Sequence, residues 1–229
     1  MITVIANLKG GSGKSTVAFN LGLWLQVHGQ PTVAYDLDPQ CTLLDASGVR
    51  REEGYAPPLQ VYHGDENLAQ HLHYHPGEVL VDVGAANMVA MKEAIRNSHR
   101  VLIPVSPSQP DVWATQRFLK IIDESLNGAE RPEMIVFLNR ADTNPAVRET
   151  DETAEALAQL PGVTLLPQRL HQRTIYRRSF SEGMAVFELW ASSKGAQEFG
   201  DFARALYPSY QARKRQVVRI QNEADQMDT

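Results

Sequence analysis

Residues Lys9 to Thr16 read Lys-Gly-Gly-Ser-Gly-Lys-Ser-Thr. Two lysines, three glycines and three hydroxyls packed this closely are equipped to hold a polyphosphate. Glycines adopt backbone dihedrals closed to other residues, so Gly10, Gly11 and Gly13, with Ser12 among them, can turn several N–H groups toward one anion. Lys14 would then reach the β- and γ-phosphates, and the Ser15 hydroxyl, followed by Thr16, would ligate Mg²⁺. The run follows the apolar stretch Ile2-Thr3-Val4-Ile5-Ala6 and precedes an amphipathic one with Val17, Leu21, Trp24, Leu25 and His28. Strand, glycine loop and helix in that order separate a phosphate-binding loop from a turn with an incidental lysine. The helix adds the positive end of its dipole. Lys9 is a lysine that such a loop does not need.

Carboxylates come next. Asp36-Leu37-Asp38-Pro39-Gln40 ends a second apolar run, and in an extended chain residues two apart share a side. Asp36 and Asp38 can therefore both approach Mg²⁺ and an attacking water. Val79-Leu80-Val81-Asp82-Val83-Gly84 ends a third run in an aspartate, the arrangement that holds Mg²⁺ beside a phosphate loop. His71, His73 and His75 alternate and would share a face in a strand, but no carboxylate or cysteine pattern accompanies them as a metal site would require. Cys41 is the single cysteine. It can form no internal disulfide and cannot supply the thiolates of an iron–sulfur cluster.

The elements that position these residues are legible in the apolar runs. Ile2 to Ala6, Thr32 to Tyr35, Glu78 to Val83, Val101 to Val105, Ile135 to Leu138 and Val163 to Leu166 are short and rich in Val, Ile and Leu, as parallel strands buried on both faces are. Helical stripes lie between them: Val112, Thr115, Leu119, Ile122 and Leu126, then Ala196, Phe199, Phe202, Ala203 and Leu206. These read as packing faces. The alternation predicts an α/β fold, a single-domain doubly wound and mostly parallel sheet flanked by helices, with ligands at the strand C-terminal ends. Residues 46–60, with Gly48, Gly54, Pro57 and Pro58, read as a loop region. The expected organisation is a single phosphate-loop domain over 1–210 and a polar helical tail over 211–229.

Lys9 through Thr16 resembles the deviant Walker A motif KGGxGK[ST][ST] of the ParA/MinD family of P-loop ATPases, and every position matches. The resemblance extends through Asp36 to Gln40, which is similar to that family's first switch, and through Asp82 to Ala86, where Ala85 stands in place of a common second glycine. It implies ATP and Mg²⁺ as cofactors. It implies that Lys9 crosses a homodimer interface to touch the partner's phosphates, that Asp38 positions the hydrolytic water, and that Asp36, Asp82 and Ser15 serve the metal. It also places Asn139, in Phe137-Leu138-Asn139-Arg140, at the adenine edge, and Pro167, in Leu166-Pro167, against the adenine ring.

Net charge is −5, and its distribution is uneven. Residues 1–160 hold twelve Lys and Arg against twenty Asp and Glu, whereas 161–229 hold ten against seven. Such asymmetry suits one face meeting a polyanion. The resemblance implies ATP-dependent binding of nonspecific DNA by arginines of this region, here Arg169, Arg173, Arg177, Arg178 and Arg215, through counterion release. It also implies slow ATP hydrolysis stimulated by a ParB-like or other adaptor, in service of positioning a plasmid, chromosome, carboxysome or chemotaxis cluster. The alternative is a MinD-like membrane-associated regulator. The terminal segment Gln211 to Thr229 offers only Val217, Val218 and Ile220 to a bilayer, too little to anchor well, so no membrane partner is expected. A ligase of the dethiobiotin-synthetase type shares the fold but gives no reason for Lys9 or the basic segment. No apolar run approaches the length of a membrane span and no secretory signal is apparent. The expected location is cytoplasmic and nucleoid-associated.

Overall fold

The computed structural model describes residues 1–64, 67–126, 128–144 and 146–208. The strands are β1 (Ile2–Asn7), β2 (Thr32–Asp36), β3 (Gln60–His63), β4 (Glu78–Gly84), β5 (Arg100–Val105), β6 (Glu133–Ala141), β7 (Thr164–Leu165) and β8 (Leu170–His171). They form one sheet in the order β3-β2-β4-β1-β5-β6-β7, with β8 pairing β6 beyond that path. Every pairing among them is parallel. The helices are α1 (Lys14–Val27), α2 (Thr42–Glu52), α3 (Leu68–Tyr74), α4 (Met88–Arg96), α5 (Gln109–Leu126), α6 (Glu149–Ala158), α7 (Thr174–Ser181), α8 (Val186–Leu189) and α9 (Lys194–Leu206). None of these helices is long and apolar enough to cross a membrane.

Alternation along the strands sorts the core into two layers. Val4, Val81, Ile103 and Val136 face one side and pack with Leu72, Met91, Ile95, Phe118 and Leu157 from α3 to α6. Ile5, Leu80, Leu102 and Phe137 face the other and pack with Leu21, Leu43, Phe199 and Phe202 from α1, α2 and α9. Both expected helical stripes are buried along their length. Covering both faces is what makes the strands read as continuous apolar runs.

Three stretches differ from the sequence reading. Residues 46–52 belong to α2, not to a loop. That helix buries only Leu43, Ala46 and Arg50, so it carries little periodic signal. β3 buries one residue, Val61, and is equally quiet in sequence. His71 and His73 lie on α3 with His75 just after it, so the strand alternation that would align the three does not apply.

The sheet order places β1 between β4 and β5. Chain direction across the sheet reverses there, and the crevice at the C-terminal ends of such strands is where α/β folds hold ligands. Asn7 stands opposite Gly84, and Asp36 opposite Asp82.

Candidate nucleotide site

The glycine run leaves β1 and enters α1 as a tight loop. Gly11 (φ 73°) and Gly13 (φ 89°) both take the left-handed conformation that side chains resist. The loop is tied at its start by buried Asn7, whose amide donates to the Pro104 carbonyl at 2.7 Å and accepts from the Lys9 N–H at 3.1 Å. It is tied at its end by Asn139, whose Nδ2 donates to the Ser12 carbonyl at 2.6 Å. A Cβ on Gly13 would collide with that same amide. The two lysines diverge: Lys14 is buried, whereas Lys9 is exposed at the head of the loop together with Gly10 and Gly11.

Asp36 and Asp38 also part company. Asp36 is buried, and its Oδ2 accepts from the N–H groups of Leu43 (2.9 Å) and Leu44 (3.1 Å). Its Oδ1 accepts from the Asp38 N–H at 3.1 Å. This carboxylate therefore satisfies the orphan donors at the start of α2 and shapes the turn that carries Asp38. Both oxygens accept from backbone N–H groups, and a carboxylate held this way keeps acceptor capacity with which to serve a metal. Burial raises its pKa, and these three backbone bonds oppose the rise. Asp38 accepts from the Gln40 N–H through Oδ1 and lays Oδ2 over Gly84, where a Cβ would stand 2.5 Å from it and 3.6 Å from Lys14 Cε.

Asp82, at the end of β4, is fully buried, and neither carboxylate oxygen has a hydrogen-bond partner. Burial pushes its pKa up to about 7; Asp36 and Asp38 add to the rise, while the Ser15 hydroxyl and Lys14 oppose it. The Ser15 hydroxyl is thus close enough to act on Asp82 without completing a well-formed bond. An orphaned buried carboxylate is rare unless something outside the chain completes it. Hard oxygens of this kind, beside a hydroxyl and under a phosphate loop, fit a divalent cation. Ser15 and Asp82 would hold Mg²⁺ there, and the ion would supply positive charge to the polyphosphate.

Beside the loop opens a cavity of about 460 Å³, floored by Gly13, Thr16 and Asn139 and walled by Arg140, Arg173 and Arg177. A nucleoside attached to phosphates on the loop would extend into it. Asn139 lines this cavity while holding Ser12. Pro167 is exposed and lies outside the lining; Leu170 and residues 171–174 take the wall expected of it. The expected DNA-binding arginines divide. Arg169 pairs with Asp151 at 2.6 Å, Arg178 with Glu182 at 2.9 Å, and Arg173 is gripped by both oxygens of Glu198. Arg177 is exposed, with no ion-pair partner among the described residues. Arg215 lies outside the described residues.

Sequence reasoning missed four supporting residues. Asn7 is one. Asn20 donates to the Thr16 carbonyl and accepts from the Val186 N–H, joining the start of α1 to α8. Asn87 donates to the Leu37 carbonyl and accepts from the Ala90 N–H, joining the segment after β4 to the segment after β2. Arg50 is described below. Each acts through a long-range amide or guanidinium contact that leaves no local pattern, although asparagine just after an apolar strand, as at Asn7, is a signal in principle.

A model of the CobQ/CobB/MinD/ParA nucleotide binding domain matches residues 3–186. The chain is 28% identical over 211 residues to the maintenance of carboxysome distribution protein A of Halothiobacillus neapolitanus, which covers 90% of this chain and 95% of that protein. Among solved structures, apo McdA of Cyanothece aligns with a TM-score of 0.70 at 20% identity, over 90% of this chain and 98% of that one. MinD of Pyrococcus horikoshii complexed with Mg-ADP aligns with a TM-score of 0.67 at 18% identity, over 90% and 95%. At these identities the structures bear on the fold alone.

Proposed function

Since the chain belongs to the CobQ/CobB/MinD/ParA nucleotide-binding family, we propose that it is a Mg²⁺-dependent ATPase that positions or partitions a cargo by cycling between a monomer and an ATP-bound sandwich dimer. The observation that carries this reading is the contrast between its two loop lysines. Lys14 is buried where it can serve its own nucleotide, and Lys9 is exposed where a second copy can use it. Asp38 orients the hydrolytic water from above Gly84, and an adaptor of the ParB kind accelerates the slow step. Adenine enters the cavity lined by Asn139. The dimer binds DNA without sequence preference. Arg177 leads that contact, because Arg169, Arg173 and Arg178 are already neutralised by carboxylates; Arg215 extends it. The similarity to a carboxysome-distribution protein over nearly the whole chain makes a protein organelle the favoured cargo.

The test is co-sedimentation with generic duplex DNA and, separately, with anionic liposomes, each with Mg·ATP, Mg·ADP or no nucleotide. DNA binding in Mg·ATP alone supports the reading. Liposome binding in Mg·ATP without DNA binding replaces it with a MinD-like membrane role. ATP turnover without either leaves a metabolic enzyme on the same fold.

A further inference from the structure

Arg140 occupies a position that arginine does not favour. It has φ 59°, and Cys41 is the other non-glycine residue with positive φ among those described. The cause is an irregularity in the pairing of β6 with β8: the register slips between Asn139 and Ala141, so Arg140 is the extra residue. Such bulges gather next to active sites and redirect a side chain that regular pairing would send elsewhere. Here Arg140 lines the cavity beside the glycine loop, as Asn139 and Arg177 also do. A left-handed backbone at a residue with a Cβ persists only where surrounding structure imposes it, and such residues gather at functional sites.

The charge pattern sharpens the point. Arg169, Arg173, Arg178 and Arg204 each have a carboxylate partner. Arg140 and Arg177 have no ion-pair partner among the described residues, and both are exposed and line one cavity. The phosphates of a bound nucleotide belong to the glycine loop and Lys14, so these two cations remain available to another anion. Planar guanidiniums match phosphate oxygens in bidentate fashion.

We propose that Arg140 and Arg177, two exposed residues of the cavity lining, form a phosphodiester-binding subsite that grips the nucleic-acid backbone. The inference rests on the DNA-binding reading above and adds to it a residue from β6, outside the basic C-terminal segment. It also gives nucleotide and DNA a shared wall. Asn139, which holds the phosphate loop through Ser12, immediately precedes the arginine that meets DNA.

The experiment measures fluorescence anisotropy of a random-sequence duplex across a salt series with Mg·ATP, together with ATP affinity and Tm, for wild type and single variants. Arg140→Gly removes the guanidinium and relieves the backbone, so Tm stays equal or rises. DNA affinity falls about tenfold or more, and the salt slope drops by about 0.9 for each lost phosphate contact. Arg140→Lys keeps the charge but not the planar fork, so it recovers only part of the affinity. Arg178→Ala, which breaks only the pair with Glu182, stays within about twofold of wild type. If the glycine variant folds poorly, Arg140→Asn, which tolerates the left-handed backbone, takes its place. DNA binding by Arg140→Gly equal to wild type overturns the subsite while leaving the DNA reading intact. Loss of ATP affinity, with or without loss of DNA, assigns Arg140 to the nucleotide and overturns it as well. Failure of wild type itself to bind DNA in Mg·ATP overturns the DNA reading and the subsite together.

Discussion

Gly84 faces the Asp38 carboxylate and the Lys14 methylenes with no side chain between them. Its φ of −110° is open to any residue, so alanine there meets no backbone penalty. The added methyl instead falls on Asp38 Oδ2. Gly84→Ala is therefore expected to keep Tm within a few degrees and to cut kcat at least tenfold by displacing the carboxylate, as steady-state phosphate release would read. Wild-type turnover in this variant removes Asp38 from the water-positioning role. Asp82 makes a second prediction. Its folded pKa of about 7 exceeds the value of about 3.9 for an unfolded aspartate. Ionising Asp82 is thus a cost to the folded state that is absent well below pH 4, grows as pH rises toward 7, and is complete above it. Without metal that cost is on the order of a few kcal/mol. In EDTA, Asp82→Asn should raise Tm at pH 8 by more than at pH 5. Equal effects at both pH values would mean the carboxylate ionises as freely folded as unfolded.

At the scale of elements, α2 decides where Asp38 sits, because the helix begins four residues after it. Asp36 holds the first turn of α2 and Arg50 holds the last. The Arg50 guanidinium, 1% exposed, donates to the Pro57 and Gly183 carbonyls and pairs with both oxygens of Glu188, itself 2% exposed. Gly183, with φ 65°, lets the turn after α7 press against the Arg50 backbone. The pair locks α2 to α8, and Asn20 locks α8 to α1. Removing one partner of a buried pair strands the other charge, at a cost of about 3–5 kcal/mol. Arg50→Ala is accordingly expected to lower the urea midpoint sharply, and Arg50→Met with Glu188→Leu to recover most of it. A double variant no more stable than Arg50→Ala would show that the guanidinium's hydrogen bonds to the Pro57 and Gly183 carbonyls, not the stranded Glu188 charge, are what the arginine contributes.

The glycine loop leaves the C-terminal end of β1, in a sheet covered by helices on both faces, and Lys9 is exposed in it. On the proposed reading, a second copy completes the site through Lys9. Sedimentation velocity of a hydrolysis-deficient Asp38→Ala protein in Mg·ATP should show a dimer, and the same protein carrying Lys9→Ala should remain a monomer while retaining nucleotide. A dimer that survives Lys9→Ala unchanged in stability and turnover would leave Lys9 as a surface charge.

The phosphate loop, the two carboxylate motifs and the buried strands were legible in the amino-acid order because each is a local pattern: glycines beside a lysine, an aspartate closing an apolar run, continuous valine and isoleucine where both sheet faces are covered. The partition of labour within those patterns was not. Asp36 and Asp38 look equivalent two residues apart, and only the docking of α2 turns one toward backbone donors and leaves the other over Gly84. Arg169, Arg173, Arg177 and Arg178 look like one basic patch, and only Asp151, Glu198 and Glu182, brought alongside by the fold or by a helical turn, neutralise three and leave Arg177 without an ion-pair partner among the described residues. β3 and α2 bury too few apolar residues to show a period, and the asparagine clamps join residues up to 166 positions apart. Charge pairing and long-range amide contacts depend on distance in space, which the order of residues does not encode locally.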